Sequence, residues 1–110
     1  MVLSATTRAG VSAFSKALAI ELASYNISSN VICPGGVLTD RLVELLRAQA
    51  VRENKSYEDT LFENQQSIPA KRFANPEEVA DAVLFLVSEQ GGYINGVSLN
   101  IDGALTRGLN

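Results

Sequence analysis

Two short apolar runs, Ile27 to Cys33 and the Val97, Leu99, Ile101 alternation within Gly96 to Ile101, read as β-strands, yet roughly sixty residues of helical character lie between them. No tight hairpin spans that length. The strands are therefore expected to run parallel, joined by a right-handed crossover. Parallel strands need cover on both faces, and two of them are too few for an independent sheet. The expected fold class is α/β, specifically the C-terminal part of a doubly wound parallel sheet, with its earlier strands outside these 110 residues.

The segments around the strands follow from local signals. Ser4 to Tyr25 reads as a helix: Val11, Phe14, Leu18 and Leu22 form one stripe, and Ala5, Ala9, Ala13, Ala17 and Ile20 form a second. Such a helix needs cover on more than one side. Asp40 to Ala50 and Tyr57 to Gln66 read as two shorter helices linked by Arg52-Glu53-Asn54-Lys55-Ser56. Asn75-Pro76-Glu77-Glu78 supplies a cap residue, a proline at the first helical position and a glutamate three residues after the cap, so a helix is expected to run from there to about Ser88. The Gly pair of Glu89-Gln90-Gly91-Gly92 ends it.

Composition removes whole classes of function. A net charge of -3 and a pI near 4.8 argue against nucleic acid or an anionic membrane surface as partner, since both call for a basic face. No apolar stretch approaches the roughly 20 residues of a bilayer span, and the chain reads as cytoplasmic. With one cysteine, Cys33, and no histidine, the chain can build neither an internal disulfide nor a histidine-containing zinc site or Ser-His-Asp triad. No metal site is expected. Cys33 reads as a small buried apolar residue, and Asn30 as a surface polar one.

The most pointed stretch is Ile32-Cys33-Pro34-Gly35-Gly36-Val37-Leu38-Thr39-Asp40-Arg41. An apolar strand stops at Pro-Gly-Gly, and a small polar pair opens a helix. Taken alone, this is a common turn and helix cap. Its place beyond the carboxyl end of a parallel strand is also where ligands bind in doubly wound folds.

Three blocks in order carry a resemblance: "TRAGVSAFSKALAIELASYNISSNVICPGGVLTD", "IPAKRFANPEEVADAVLFLVSE" and "INGVSLNIDGA". Together they resemble the C-terminal half of the short-chain dehydrogenase/reductase family, in particular its 3-oxoacyl-[acyl-carrier-protein] reductase-like members. The resemblance implies a Rossmann-like domain whose N-terminal dinucleotide-binding half lies outside this chain. It implies NAD or NADP as cofactor, a small-molecule carbonyl/alcohol substrate and a homo-oligomer, with neither nucleic acid nor membrane as partner. By the same resemblance Pro34, Gly35, Gly36, Val37 and Thr39 form the cofactor-binding turn, with Val37 against the nicotinamide carboxamide and Thr39 bonded to the carboxamide or diphosphate. Glycine permits close backbone approach, and a hydroxyl at a helix start sits beside free N–H groups, so the physics agrees. Asp102-Gly103 matches the family's strand-end pair and reads as a structural turn.

Two departures stand out. No G-x-G-x-x-G is present. The family's catalytic Tyr-x-x-x-Lys aligns with Ser4 and Arg8, so both catalytic positions are changed. A serine hydroxyl is a far poorer acid than a phenol, while Arg8 keeps the positive charge in a different geometry. Three readings follow: a partial or divergent NAD(P)-dependent oxidoreductase, a ligand- or partner-binding scaffold of the same fold without redox chemistry, and a helical interaction module. Substrate identity and the choice between NAD and NADP are not written in these residues.

Overall fold

The computed structural model describes residues 2–108. Helix α1 spans Val2–Leu22 and runs into a 3-10 turn at Ala23–Tyr25. Strand β1 is Val31–Pro34, followed by α2 (Asp40–Glu53), α3 (Tyr57–Gln65) and α4 (Pro76–Val87); a second 3-10 turn, Glu89–Gly91, precedes β2 (Ser98–Ile101). The two strands pair directly. Val31 N–H donates to Val97 O at 2.8 Å and Gly35 N–H to Ile101 O at 2.9 Å, the same sequence offset at both ends of the run, as a parallel ladder requires. The α/β class and parallel pairing are those expected from the spacing of the two runs.

By internal contacts the chain divides into two compact units. Among the described residues, one comprises 2–33 and Ala82–Leu99, the other Pro34–Asp81 and 100–108.

In the first unit, α1 meets the chain at Gly96. That glycine has φ +74, and a Cβ there would lie 3.0 Å from Lys16 Cδ and 3.2 Å from Ala19 Cβ, so both the backbone and the close approach demand glycine. Ser15, buried on α1, shares a 2.8 Å hydrogen bond with the Ser29 hydroxyl. The helix ends where Asn26 takes a left-handed conformation, its N–H returning to Ala23 O.

Strand β1 starts four residues later than its apolar run suggests. Residues 29–30 pair with 94–97 largely through side chains: Ser29 N–H donates to Asn95 Oδ1 at 2.9 Å, Asn30 Nδ2 to Ile94 O at 3.3 Å, and Val97 N–H to Asn30 Oδ1 at 3.1 Å. Side-chain amides stand in for the ladder, which begins only at Val31. Asn30 is therefore a half-buried bridge between two chain segments, not the surface residue expected of it. Cys33 is likewise half-buried, not fully enclosed.

The second unit holds a helical hairpin. Thr39 caps α2 by accepting from Leu42 N–H, and Ser56 caps α3 by accepting from Asp59 N–H at 3.1 Å. Between them Asn54, at φ +53, ends α2 with its N–H on the last carbonyls, which carries the helix three residues past the expected Ala50. Leu46 (2% exposed), Ala50, Thr60 (0%) and Ile68 form the packed interior. Asn64 Nδ2 donates to Thr60 O at 2.7 Å and to Gln49 Oε1 at 3.2 Å, tying α3 to α2.

Candidate functional site

The segment beyond β1 is fixed by glycines whose missing side chains are already accounted for. A Cβ on Gly35 would lie 2.8 Å from Asp102 Cβ and 2.9 Å from its Cα; one on Gly36 would lie 2.5 Å from Phe73 Cδ1. Both glycines are therefore demanded by packing inside the unit, a reason independent of any ligand.

Residue 37 then forms an isolated parallel bridge with Ala74. Leu38 N–H donates to Ala74 O at 2.8 Å, and Ala74 N–H donates to Gly36 O at 3.0 Å. In such a bridge the peptide groups flanking Val37 face Ala74, while Val37's own N–H and C=O point to the opposite edge. The carbonyl accepts from Thr39 N–H at 2.8 Å and keeps a second lone pair. Thr39 Oγ1 accepts from Leu42 N–H at 3.3 Å, which commits the oxygen as acceptor and leaves the hydroxyl proton to donate elsewhere. The arrangement thus presents a donor and an acceptor on one peptide edge, with a hydroxyl donor two residues on. A primary carboxamide, itself one acceptor and a donor pair, complements that set.

Asp102 and Gly103 form the structural turn expected of them. Asp102 Oδ1 accepts from Ala104 N–H at 3.1 Å and Oδ2 from Thr106 N–H at 3.0 Å. Bonding from Thr106, side chain first and backbone second, holds the Asp102 carboxyl below the usual carboxylate range. Gly103 has φ +60 and lies against Ala70 and Ile68, and Ala70 N–H donates to Gly103 O.

A cavity of about 310 Å³ lies in this unit, with Gly36, Arg72, Ala74, Glu78, Asp102 and Gly103 in its wall. Its charged groups are engaged with one another or with the backbone. Arg72 grips Glu78 through two bonds of 2.8 and 2.7 Å, and Glu78 also accepts from Asn75 N–H at 2.8 Å, the reach-back half of a capping box at the start of α4. The Arg72 guanidinium first, and the Asn75 N–H second, lower the Glu78 carboxyl to about 2. The pair is largely solvated, so this shift says more about geometry than about stability.

Ser4 and Arg8 lie on α1, in the first unit, one helical turn apart on the same face and both exposed. Just beside them the Thr6 and Thr7 hydroxyls bond back to Val2 O and Leu3 O. Sequence reasoning passed over Phe73, Ala74 and the Arg72–Glu78 clasp. Their only signal is the Arg-Phe-Ala-Asn-Pro-Glu-Glu string, whose helix-start reading hides its bonds to the loop.

Residues 2–106 match the family pattern described as enoyl-(acyl carrier protein) reductase. The chain is 38% identical over 109 residues to 2,3-dihydro-2,3-dihydroxybenzoate dehydrogenase of Bacillus subtilis, covering 99% of this chain and 41% of that protein. It is also 38% identical over 100 residues to the 3-oxoacyl-[acyl-carrier-protein] reductase FabG of Aquifex aeolicus, covering 91% and 36%. It therefore spans about two fifths of the length of these curated relatives. Among solved structures, L-sorbose reductase of Gluconobacter frateurii, complexed with NADPH and L-sorbose, superposes with a TM-score of 0.85 at 33% identity, over 94% of this chain and 40% of that one. A Pseudomonas aeruginosa short-chain oxidoreductase described as containing an atypical catalytic center gives a TM-score of 0.78 at 31% identity, over 94% and 40%. With the family pattern matched over nearly its whole length and the parallel α/β fold shared with these enzymes, the chain belongs to the short-chain dehydrogenase/reductase family.

Proposed function

We propose that this chain is the C-terminal portion of an NAD(P)-dependent oxidoreductase domain, working in the cytoplasm on a small carbonyl/alcohol substrate, and that Pro34–Thr39 is its nicotinamide-side cofactor loop. The observation that carries this reading is the Val37 peptide edge, turned away from the Ala74 bridge, with the Thr39 hydroxyl two residues on. Those groups fit a carboxamide. The named activities of the relatives, dehydrogenase and reductase, and the NADPH in the Gluconobacter structure support the same assignment.

A bound nicotinamide supplies hydride exchange with the substrate carbon. The protein's part is to hold the ring, keep water away and meet the charge that develops on the substrate oxygen. Val37 and Thr39 orient the carboxamide. A guanidinium such as that of Arg8 offsets negative charge but is not a proton donor to a developing alkoxide. Ser4 is shorter than a tyrosine by a whole ring and a far weaker acid, so proton delivery from this helix turn needs a bridging water. The consequence is slow carbonyl reduction, because loss of a general acid typically removes on the order of 100- to 10,000-fold in rate.

The decisive experiment restores both groups, Ser4→Tyr with Arg8→Lys, in the full-length protein and compares turnover across a panel of carbonyl compounds with NADH and NADPH. A large gain is expected. Fast turnover in the parent, unchanged by the pair, overturns the placement of the catalytic positions.

Ser4 and Arg8 also favour a second reading, a scaffold of this fold that binds nucleotide without turnover; measurable NADPH binding with no reduction of any panel member would select it. On either reading we propose a homo-oligomer. Phe14 (66% exposed), Ile20, Leu84 and Val87 on α1 and α4 are large apolar residues that call for cover. Light scattering that finds a folded monomer at high concentration would reject this.

A further inference from the structure

We infer that Phe73 is a positioning residue for the cofactor loop: its ring fills the space over Gly36 and thereby sets the direction of the Val37 peptide edge. The inference rests on the reading of Pro34–Thr39 given above. Phe73 is half-buried and precedes Ala74, the residue that bridges to Val37 and bonds to both Gly36 and Leu38. On the loop side, the ring lies so close that a single added carbon on Gly36 would sit 2.5 Å from Cδ1 and 2.7 Å from Cε1. Ring and bridge therefore act on adjacent loop residues, one by steric fill and the other by hydrogen bonds.

The strap that carries Phe73 is itself fastened on both sides. Upstream, Lys71 has φ +61; its N–H donates to Ile68 O at 2.8 Å, its Nζ reaches Gln66 O at 2.6 Å, and Ala70 N–H donates to Gly103 O at 3.1 Å. Downstream, Glu78 is clasped by Arg72 and accepts from Asn75 N–H, and Arg72, just before the ring, also donates to Phe73 O at 3.3 Å. A ring on a strap held at both ends transmits position rather than merely filling volume. Removing it leaves the bridge as the only fastening left between strap and loop and frees Gly36 to rotate, since glycine has no side chain of its own to restrict it, so the bridge bonds at Leu38 and Ala74 open more often. The Val37 N–H and C=O then lose their fixed aim.

The test is made on the full-length protein and combines backbone amide exchange with NADPH titration. Phe73→Ala is expected to speed exchange at Leu38 and Ala74 by about tenfold or more, to leave Leu46 in the hairpin interior unchanged, and to weaken NADPH binding by a similar factor with a smaller effect on kcat at saturating cofactor. Gly36→Ala approaches the same seam from the other side and is expected to loosen it likewise. Combined with Phe73→Ala, the added methyl enters the vacated space, so the double variant is expected to bind NADPH more tightly than either single one. Additive losses in the double variant, or equal acceleration at Leu46 and Leu38, overturn the inference. A parent that binds NADPH while Leu38 exchange is indifferent to both substitutions overturns the role of Phe73 alone. A parent that binds neither NADH nor NADPH overturns the functional reading together with it; one that binds NADH alone is titrated with NADH in place of NADPH.

Discussion

Helix α1 and the α2–α3 hairpin differ sharply in how they dispose of apolar surface. Over 21 residues, α1 buries only Ser15 and Ala19, and leaves Val2, Leu3, Val11, Phe14 and Ile20 more than half exposed. The hairpin is less apolar but encloses Leu46, Ala50 and Thr60, closes both helix starts with hydroxyl caps and ties its helices through Asn64 and Gln49. The lesson is that local connectivity completes one element and not the other. Two antiparallel helices joined by a short turn cover each other, whereas a helix that shields a parallel sheet depends on neighbours remote in sequence.

The largest expected effect tests that contrast directly. Leu46→Ala should destabilise the protein by about 2–5 kcal/mol, the range for truncating a fully buried leucine, whereas Phe14→Ala should change stability by less than about 0.5 kcal/mol at protein concentrations low enough to dissociate the proposed oligomer, and by more where the oligomer forms. Urea midpoints of the two variants measure both. A Phe14→Ala cost that rivals Leu46→Ala in the dissociated protein breaks the comparison, and a cost that does not rise with protein concentration removes Phe14 from the proposed oligomer.

An intermediate effect is expected at the one polar fastening buried on α1. Ser15→Ala removes the partner of the Ser29 hydroxyl and should cost about 1 kcal/mol, read as a shift in thermal midpoint. No shift would mean that the Ser15–Ser29 bond does not anchor the helix.

The smallest effect concerns the solvated Arg72–Glu78 clasp. The Glu78 carboxyl is lowered from 4.5 to about 2 in the folded protein, so its contribution is complete above about 4.5 and is lost as pH falls toward 2. Stability of the parent should therefore fall more steeply between those pH values than that of Glu78→Gln, compared by denaturant titration at each pH. Parallel profiles would remove the clasp from the account of how the strap is held.

What the sequence by itself determined are the features written in neighbouring residues or in gross spacing. Periodicity and the length between Ile27–Cys33 and Gly96–Ile101 required a parallel α/β pairing, Asn75-Pro76-Glu77-Glu78 placed the start of α4, and Asp102-Gly103 announced a turn. Only the tertiary structure decided the rest. It showed that Gly35 and Gly36 make room for Asp102 and Phe73, that Asn30 replaces ladder bonds to Ile94 and Val97, and that Ala74 holds the candidate cofactor loop. Each of these depends on a partner tens of residues away. A glycine, an asparagine or an alanine carries no local mark of such a partner, because propensity and periodicity register only near neighbours along the chain.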